Sequence, residues 1–390
     1  MKKMLIQKAA VLVCVTTSVM LAGCGSSAED NQKSEKEASV ADSIDASTQI
    51  NETTSIDLSN LSEEVLVEKA KKEGNKFVTV GMPDDWANWK SSWDAINKKY
   101  GIEHEDTDMT SAEELQTFDA EKDDATRDLG DIGMSMTPTA MEMGVVQPYK
   151  AATWDSIPDW AKDPDGNWTI SYTGTMTFCA ISDTVNGKLP TTWEELMDSN
   201  YKVSVGNVPS GAASQAAVIS AAYAMGGDMN NLQPGIDYFI KLAKEGRLDP
   251  GDTTYARMAD GEMEVCAAQY EYGSLNWRDN LKKDSGQELL VTIPQDGALT
   301  TGYALVFNKY SKHPYTTALV INYLLSDEGQ IDRARGYAHP IREVDIPSDI
   351  NGLDKELYNA SIIVDDISEF NDACSTVAKL WTEQVVPLIN

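Results

Sequence analysis

From about residue 61 onward the chain alternates short apolar runs with segments whose apolar positions recur at helical spacing. "LSEEVLVEKAKKEGN" predicts an opening helix: Ser62 can cap it, Glu63 and Glu64 suit its positive end, and Gly74 can close it. "KFVTVGM" reads as a strand. "PDDWANWKSSWDAINKKYG" reads as an amphipathic helix from Pro83 to Gly101, with Trp89 and Trp93 turned to the core. "IEHED" is a second, more polar strand, "AEELQTFDAEKD" a helix, "DLGDIGMSM" a buried strand turning into a loop, and "TPTAMEMGVVQPY" a helix again. Strands that alternate with helices build a largely parallel sheet covered on both faces, an α/β fold.

The rhythm then changes. Asp165-Gly166 is a turn signal, and "NWTISYTGTMTFCAISD" is a long alternating β segment. Helices follow at "TTWEELMDSNYK", with a capping-box start from Thr192 to Glu195, at "AASQAAVISAAYAMGG" and at "GIDYFIKLAKEG". Strands are predicted at "VSVGNVPSG", "EVCAAQYEYGS", "ELLVTIPQDG" and "TGYALVFNK". "PYTTALVINYLLSDEGQIDRA" reads as one long helix, and "FNDACSTVAKLWTEQVVPLI" as the closing one.

The front of the chain follows another grammar. Lys2, Lys3 and Lys8 precede an apolar run from Ala9 to Ala22. That run is shorter than the roughly 20 residues of a membrane-spanning helix, and it ends in small residues, as a secretory signal does. Leu21-Ala22-Gly23-Cys24 resembles the lipobox of bacterial lipoproteins, in which the chain is cut before a lipidated cysteine. Residues 1–23 are therefore expected to be a signal peptide and Cys24 the lipidation site. Residues 24–60 are rich in Ser, Asp, Glu, Asn and Thr and hold no aromatic residue. They cannot bury enough apolar surface to fold and read as a disordered acidic tether. The expected location is the outer face of the cell membrane, reached through the lipid anchor only.

Composition narrows the function further. Lys+Arg 32 against Asp+Glu 62 gives a net charge of −30, which excludes a basic face for nucleic acid. Cys179, Cys266 and Cys374 would remain beside the lipidated cysteine; they are far apart, form no C-x-x-C, and read as small buried hydrophobes. The three histidines, His104, His313 and His339, stand in unlike contexts, and there is no G-x-S-x-G, H-E-x-x-H or Walker loop. An enzyme is not expected, and a secreted hydrolase is the remote alternative.

An ordered set of landmarks runs through the folded part: "EKAKKEGNKFVTVGMP", "VVQPYKA", "IPDWAKDPDGNWTISYTGT", "LPTTWEELMDSNYKVSVGNVPSGAAS", "VTIPQDGALTTGYALVFN", "ALVINYLLSDEGQ" and "AHPIRE". In that order they resemble the extracellular solute-binding proteins of ABC importers, in the branch of ferric-iron, hexose-phosphate and aminoethylphosphonate binders. The resemblance implies a two-lobed type II periplasmic-binding-protein fold with an interlobe cleft and a hinge. One lobe would hold residues 61–175 and 297–350, the other residues 176–296 and 351–390. A small solute would close the lobes, and the closed form would meet a membrane permease. A monomer is expected, without a cofactor; a ferric ion, if bound, would be cargo. A receptor partner of a membrane sensor would look the same in sequence.

Several short stretches carry candidate chemistry. Ser210, Gly211, Ala212 and Ser214 stand where a strand ends and a helix begins; free backbone N–H groups there attract anions, and the same residues also serve as a plain helix cap. Ser135 and Thr137 lie past a strand end, where open α/β sheets bind ligands, or else form a hydroxyl-capped turn. Trp86 could wall the cleft, and Asp84 or Asp85 could meet a cation. At "AAQYEYGS" the iron binders of the resembled family carry two adjacent tyrosines; here Glu271 separates Tyr270 from Tyr272. On a strand, residues two apart share a face, so Tyr270 and Tyr272 would converge and could hold ferric iron, with Glu271 turned away. Otherwise Tyr270 and Glu271 take the two positions, which suits an amine or hydroxyl-bearing solute. Acids and tryptophans at one edge, with an anion nest at the other, suit a zwitterion.

Overall fold

A computed structural model of the chain describes residue 58, residues 61–350 and residues 352–389. The signal peptide, Cys24 and nearly all of the tether lie outside the described residues. Leu58, assigned above to the tether, is buried against the core, so packing begins before residue 61. No helix among the described residues is long and apolar enough to cross a membrane.

The first part alternates as its sequence predicts: α1 (Glu63–Lys72), β1 (Lys76–Val80), α2 (Trp89–Tyr100), β2 (Glu103–Thr107), α3 (Ser111–Glu121), β3 (Leu129–Gly133) and α4 (Thr137–Met143). Ser62 caps α1, its side chain accepting from the Val65 N–H at 3.4 Å. The chain continues through β4 (Thr169–Ile181), α5 (Trp193–Asp198), β5 (Val203–Ser204), α6 (Ala212–Ala224), α7 (Gln233–Lys244), β6 (Leu248–Asp249), α8 (Tyr255–Ala259), β7 (Val265–Tyr270) and α9 (Glu271–Asp284). It ends with β8 (Leu289–Thr292), β9 (Ala298–Phe307), α10 (Pro314–Leu324), α11 (Asp327–Arg335), β10 (His339–Pro340), β11 (Ser361–Ile363) and α12 (Ile367–Gln384).

The strands lie in the order β2-β1-β3-β9-β4-β7-β5-β6. β2, β1 and β3 are parallel, as are β7, β5 and β6. Between these two blocks stands an antiparallel pair, β9 and β4. β4 changes partners along its length. Thr169 to Thr175 pair with β9, whereas Met176 to Ile181 pair with β7 and β8. Its sequence alternates, yet nearly every residue of it is buried, because both faces of this central strand are covered. α12 packs on α6 and α7, and it also touches α4 and the turn before it.

Three elements depart from the sequence reading. The helix predicted from Pro83 starts only at Trp89, because Ala87 and Asn88 take φ of 44° and 58° and leave the right-handed helical region. Residues 83–88 thereby become a loop at the end of β1. The long helix near the C-terminus breaks into α10 and α11, where Ser326 caps a new helix by accepting from the Gly329 N–H at 3.3 Å. The strand "EVCAAQYEYGS" stops at Tyr270, and Glu271 opens α9.

Candidate functional site

The ends of the parallel strands face one another across a cavity of about 380 Å³. Ligands bind at such strand ends in open α/β sheets. On one side lie the loop after β1, with Asp85 and Trp86, and the loop after β2, with Asp108 to Ser111. Glu114 of α3 and Asp131 of β3 complete that wall. The start of α6 forms the facing wall, from Ser210 to Ser214. Thr253 to Tyr255 lie beside it, and Gln269, Asn276 and Trp277 come from β7 and α9. Tyr303 of β9 also lines the cavity.

The charge on this lining is one-sided. It holds four carboxylates, Asp85, Asp108, Glu114 and Asp131, and no lysine or arginine. Two of the four are deeply buried, Glu114 and Asp131, each 1% exposed. Glu114 Oε2 accepts from the Asp131 backbone N–H at 3.0 Å. Asp131 Oδ2 accepts from the Tyr172 hydroxyl at 2.6 Å, and the Tyr172 hydroxyl oxygen accepts from Trp86 Nε1–H at 2.9 Å. A relay thus ties the cavity-lining indole to the buried acid. Asp131 Oδ1 is buried without a hydrogen-bond partner.

Burial dominates the proton affinity of both acids. It pushes Asp131 up to about 8, against the Tyr172 hydrogen bond and the charge of Arg333, which pull it down. It raises Glu114 well above the carboxylate range, and the neighbouring Asp131 charge adds to the rise. The backbone makes room for Glu114 at Gly81, whose φ is +72° and where a Cβ would stand 2.3 Å from Glu114 Oε1.

The facing wall is chemically opposite. α6 has Gly211 as its N-cap, and no side chain caps it. Its first-turn N–H groups have no partner within the helix. They carry the positive end of the helix dipole. The two walls meet where a Cβ on Gly133, at the end of β3, would lie 3.0 Å from the Ala212 Cβ.

Trp86, Ser210, Gly211, Ala212 and Ser214 therefore line the cavity as their positions in the sequence suggest. Of the two aspartates it is Asp85 that lines it; Asp84 is exposed outside. Ser135 and Thr137 are buried and outside the lining, where Thr137 Oγ1 donates to the Met134 carbonyl at 3.0 Å and the Ser135 carbonyl accepts from Asn371 Nδ2. They belong to the turn that leads into α4, and no side chain caps that helix.

Tyr270, Glu271 and Tyr272 also lie outside the lining. The two phenol rings do converge, stacked at 5.4 Å, but Tyr272 sits in a helical turn and both are buried behind Trp86 and Tyr303. Burial raises both phenols above their ordinary range, and the Tyr270 hydroxyl is bonded to Thr301 Oγ1 at 2.6 Å. The Tyr272 hydroxyl is buried without a hydrogen-bond partner. Glu271 turns away to the strand crossover, where it accepts from the Thr175 N–H and stands 3.0 Å from His339 Nε2.

Sequence reasoning missed Asp108, Glu114, Asp131, Asn276, Trp277 and Tyr303. Asp131 left one signal, an acid inside the apolar run "DLGDIGM". Glu114 left none, since acids abound on helices.

The model of the bacterial extracellular solute-binding protein family matches residues 128–368. The chain belongs to that family. No curated protein sequence matches this solute-binding protein. Among solved structures, apo ferric ion-binding protein A of Pasteurella haemolytica superposes with a TM-score of 0.62 at 14% identity, over 81% of this chain and 99% of that one. The periplasmic binding protein AfuA of Actinobacillus pleuropneumoniae, with fructose-6-phosphate bound, gives 0.62 at 16% identity, over 80% and 99%. A periplasmic thiamin binding protein gives 0.63 at 13% identity, over 80% and 96%. These likenesses give this solute-binding protein the two-lobed type II periplasmic-binding-protein fold. The family and these neighbours are binding proteins rather than enzymes.

Proposed function

We propose that the protein captures a small zwitterionic solute between its lobes and hands it to the permease of an ABC importer. Cys24 anchors it to the outer face of the membrane through lipid, and the acidic segment after it acts as a leash. The lobes comprise residues 61–175 with 297–350 and residues 176–296 with 351–390; the exchange of β4 partners between Thr175 and Met176 supports that division.

One observation carries the choice of solute. The cavity sets four carboxylates and no base against the uncapped start of a 13-residue helix. The acids suit a cationic group, and the helix start suits an anionic one. Trp86, Trp277 and Tyr303 offer apolar faces between the two ends. Tyr270 and Tyr272 make ferric iron the less favoured guest.

Native mass spectrometry of protein purified from its own host tests the reading. A co-purified amino acid, aminophosphonate or similar zwitterion supports it. A ferric ion or an anion without a cationic group overturns the choice of solute.

A further inference from the structure

The buried half of the acidic wall does more than attract. Asp131 and Glu114 lie on adjacent elements, joined by the Asp131 N–H to Glu114 Oε2 bond at 3.0 Å. Both line the cavity, and Asp131 Oδ1 is buried without a partner. The groups that face Asp131 are Glu114 from α3, Tyr172 from β4, Arg333 from α11, Asp106 from β2, Tyr303 from β9 and the Trp89 indole from α2, which like Tyr172 favours the ionised acid. Glu114 faces Asp131, Asp106, Asp108 and Tyr303. Arg333 is the single cation among them. Its Nη2 is bonded to Ser92 Oγ at 2.7 Å and the Asn88 carbonyl at 3.0 Å, and the guanidinium lies 3.6 Å over the Trp89 ring, while Nε and Nη1 are buried without a hydrogen-bond partner; its charge pulls Asp131 down without outweighing burial. Two buried, adjacent carboxyls with so little compensation do not both ionise in an empty cavity.

We infer that Asp131 and Glu114 receive the ammonium group of the solute, and that this group replaces a proton the pair carries in the empty protein. This deepens the reading of the cavity as a solute site and rests on it. The ammonium keeps its own protons and donates one N–H to Asp131 Oδ1. The carboxylic proton leaves to water, so each capture releases one proton. The rise of both acids in the empty protein agrees in direction. Capture is therefore coupled to pH. Affinity rises with pH while the empty pair still holds its proton, and levels once that proton is lost.

The test is calorimetry near pH 7 in phosphate and in Tris, two buffers with different heats of ionisation. The probes are 4-aminobutyrate, 2-aminoethylphosphonate and putrescine, with fructose-6-phosphate as the probe without an ammonium group. The expected result is that an ammonium-bearing probe binds and releases about one proton, with affinity rising up to about tenfold per pH unit between pH 6 and 8. Asp131→Asn and, separately, Glu114→Gln are expected to lose that release, with circular dichroism confirming that each is folded. An ammonium-bearing probe that binds with the same heat in both buffers overturns the exchange. Binding of fructose-6-phosphate in place of the ammonium probes also overturns it, yet leaves the solute-binding reading standing. No binding by any of the four sinks both.

Discussion

Asn276 of α9 reaches across the cavity and donates from Nδ2 to the backbone oxygen of Asp85 in the loop after β1. This bond joins the two sides of the cavity through a backbone oxygen and engages no carboxylate. Asn276→Ala is expected to weaken solute affinity by about 1 kcal/mol, roughly fivefold. The loss should appear in the dissociation rate, read by stopped-flow tryptophan fluorescence. An unchanged rate would show that the bond does not hold the walls together.

Gly81 is the position at which the backbone yields space to Glu114. Its φ is +72°, and an added methyl carbon would stand 2.3 Å from Glu114 Oε1. Gly81→Ala is expected to cost about 1–3 kcal/mol from backbone strain and the collision together, measured by urea denaturation. Solute binding should weaken as well, because the carboxylate must move.

Tyr172 holds the ionised form of Asp131 through its 2.6 Å hydrogen bond. Tyr172→Phe removes a contact that lowers the proton affinity of Asp131, which then rises further above about 8. The pH at which solute affinity levels off should move upward. The pH dependence of Kd for the variant and the parent checks this, and a purely structural role would leave the plateau in place.

How much of this was legible in the chain depends on the range of the cause. Trp86 and the start of α6 could be read because a strand, small residues and a helix follow one another within a dozen positions. Ser326-Asp327-Glu328 also announced the break between α10 and α11, since a hydroxyl followed by acids is a helix start; the apolar pattern on either side masked it. Tyr270 and Tyr272 were placed by the period of a strand where a helix begins. Glu114 was illegible, and Asp131 showed only as an acid inside an apolar run, for a stronger reason. Their burial comes from packing between α3, β3 and β4, and nothing local in the sequence encodes it.

His104 is held neutral. It stacks on Trp93 at 3.9 Å and pairs with Thr79 Oγ1 at 2.8 Å, and burial pushes it down to about 4 from 6.5. The unfolded chain binds the proton more tightly, so folding stability should fall as pH drops from about 6.5 towards 4. His104→Gln should flatten that part of the curve, measured by denaturant midpoints against pH. Other groups also titrate there, and the difference between variant and parent isolates this one.

The thiols of Cys179, Cys266 and Cys374 are all buried, and burial raises Cys374 to about 12. Cys179 and Cys266 stand opposite each other on β4 and β7, where the Cys179 contact and burial raise Cys266 well above its ordinary value. In the folded protein none of the three should react with Ellman's reagent over minutes, while all three should react in denaturant. Reaction of any one before unfolding would contradict the packing around it.

β4 runs unbroken from one sheet block into the other, and the Glu271 carboxylate grips its backbone at Thr175, the last residue before it changes partners. That clasp fastens the first turn of α9 to the point at which β4 leaves one block of strands for the other.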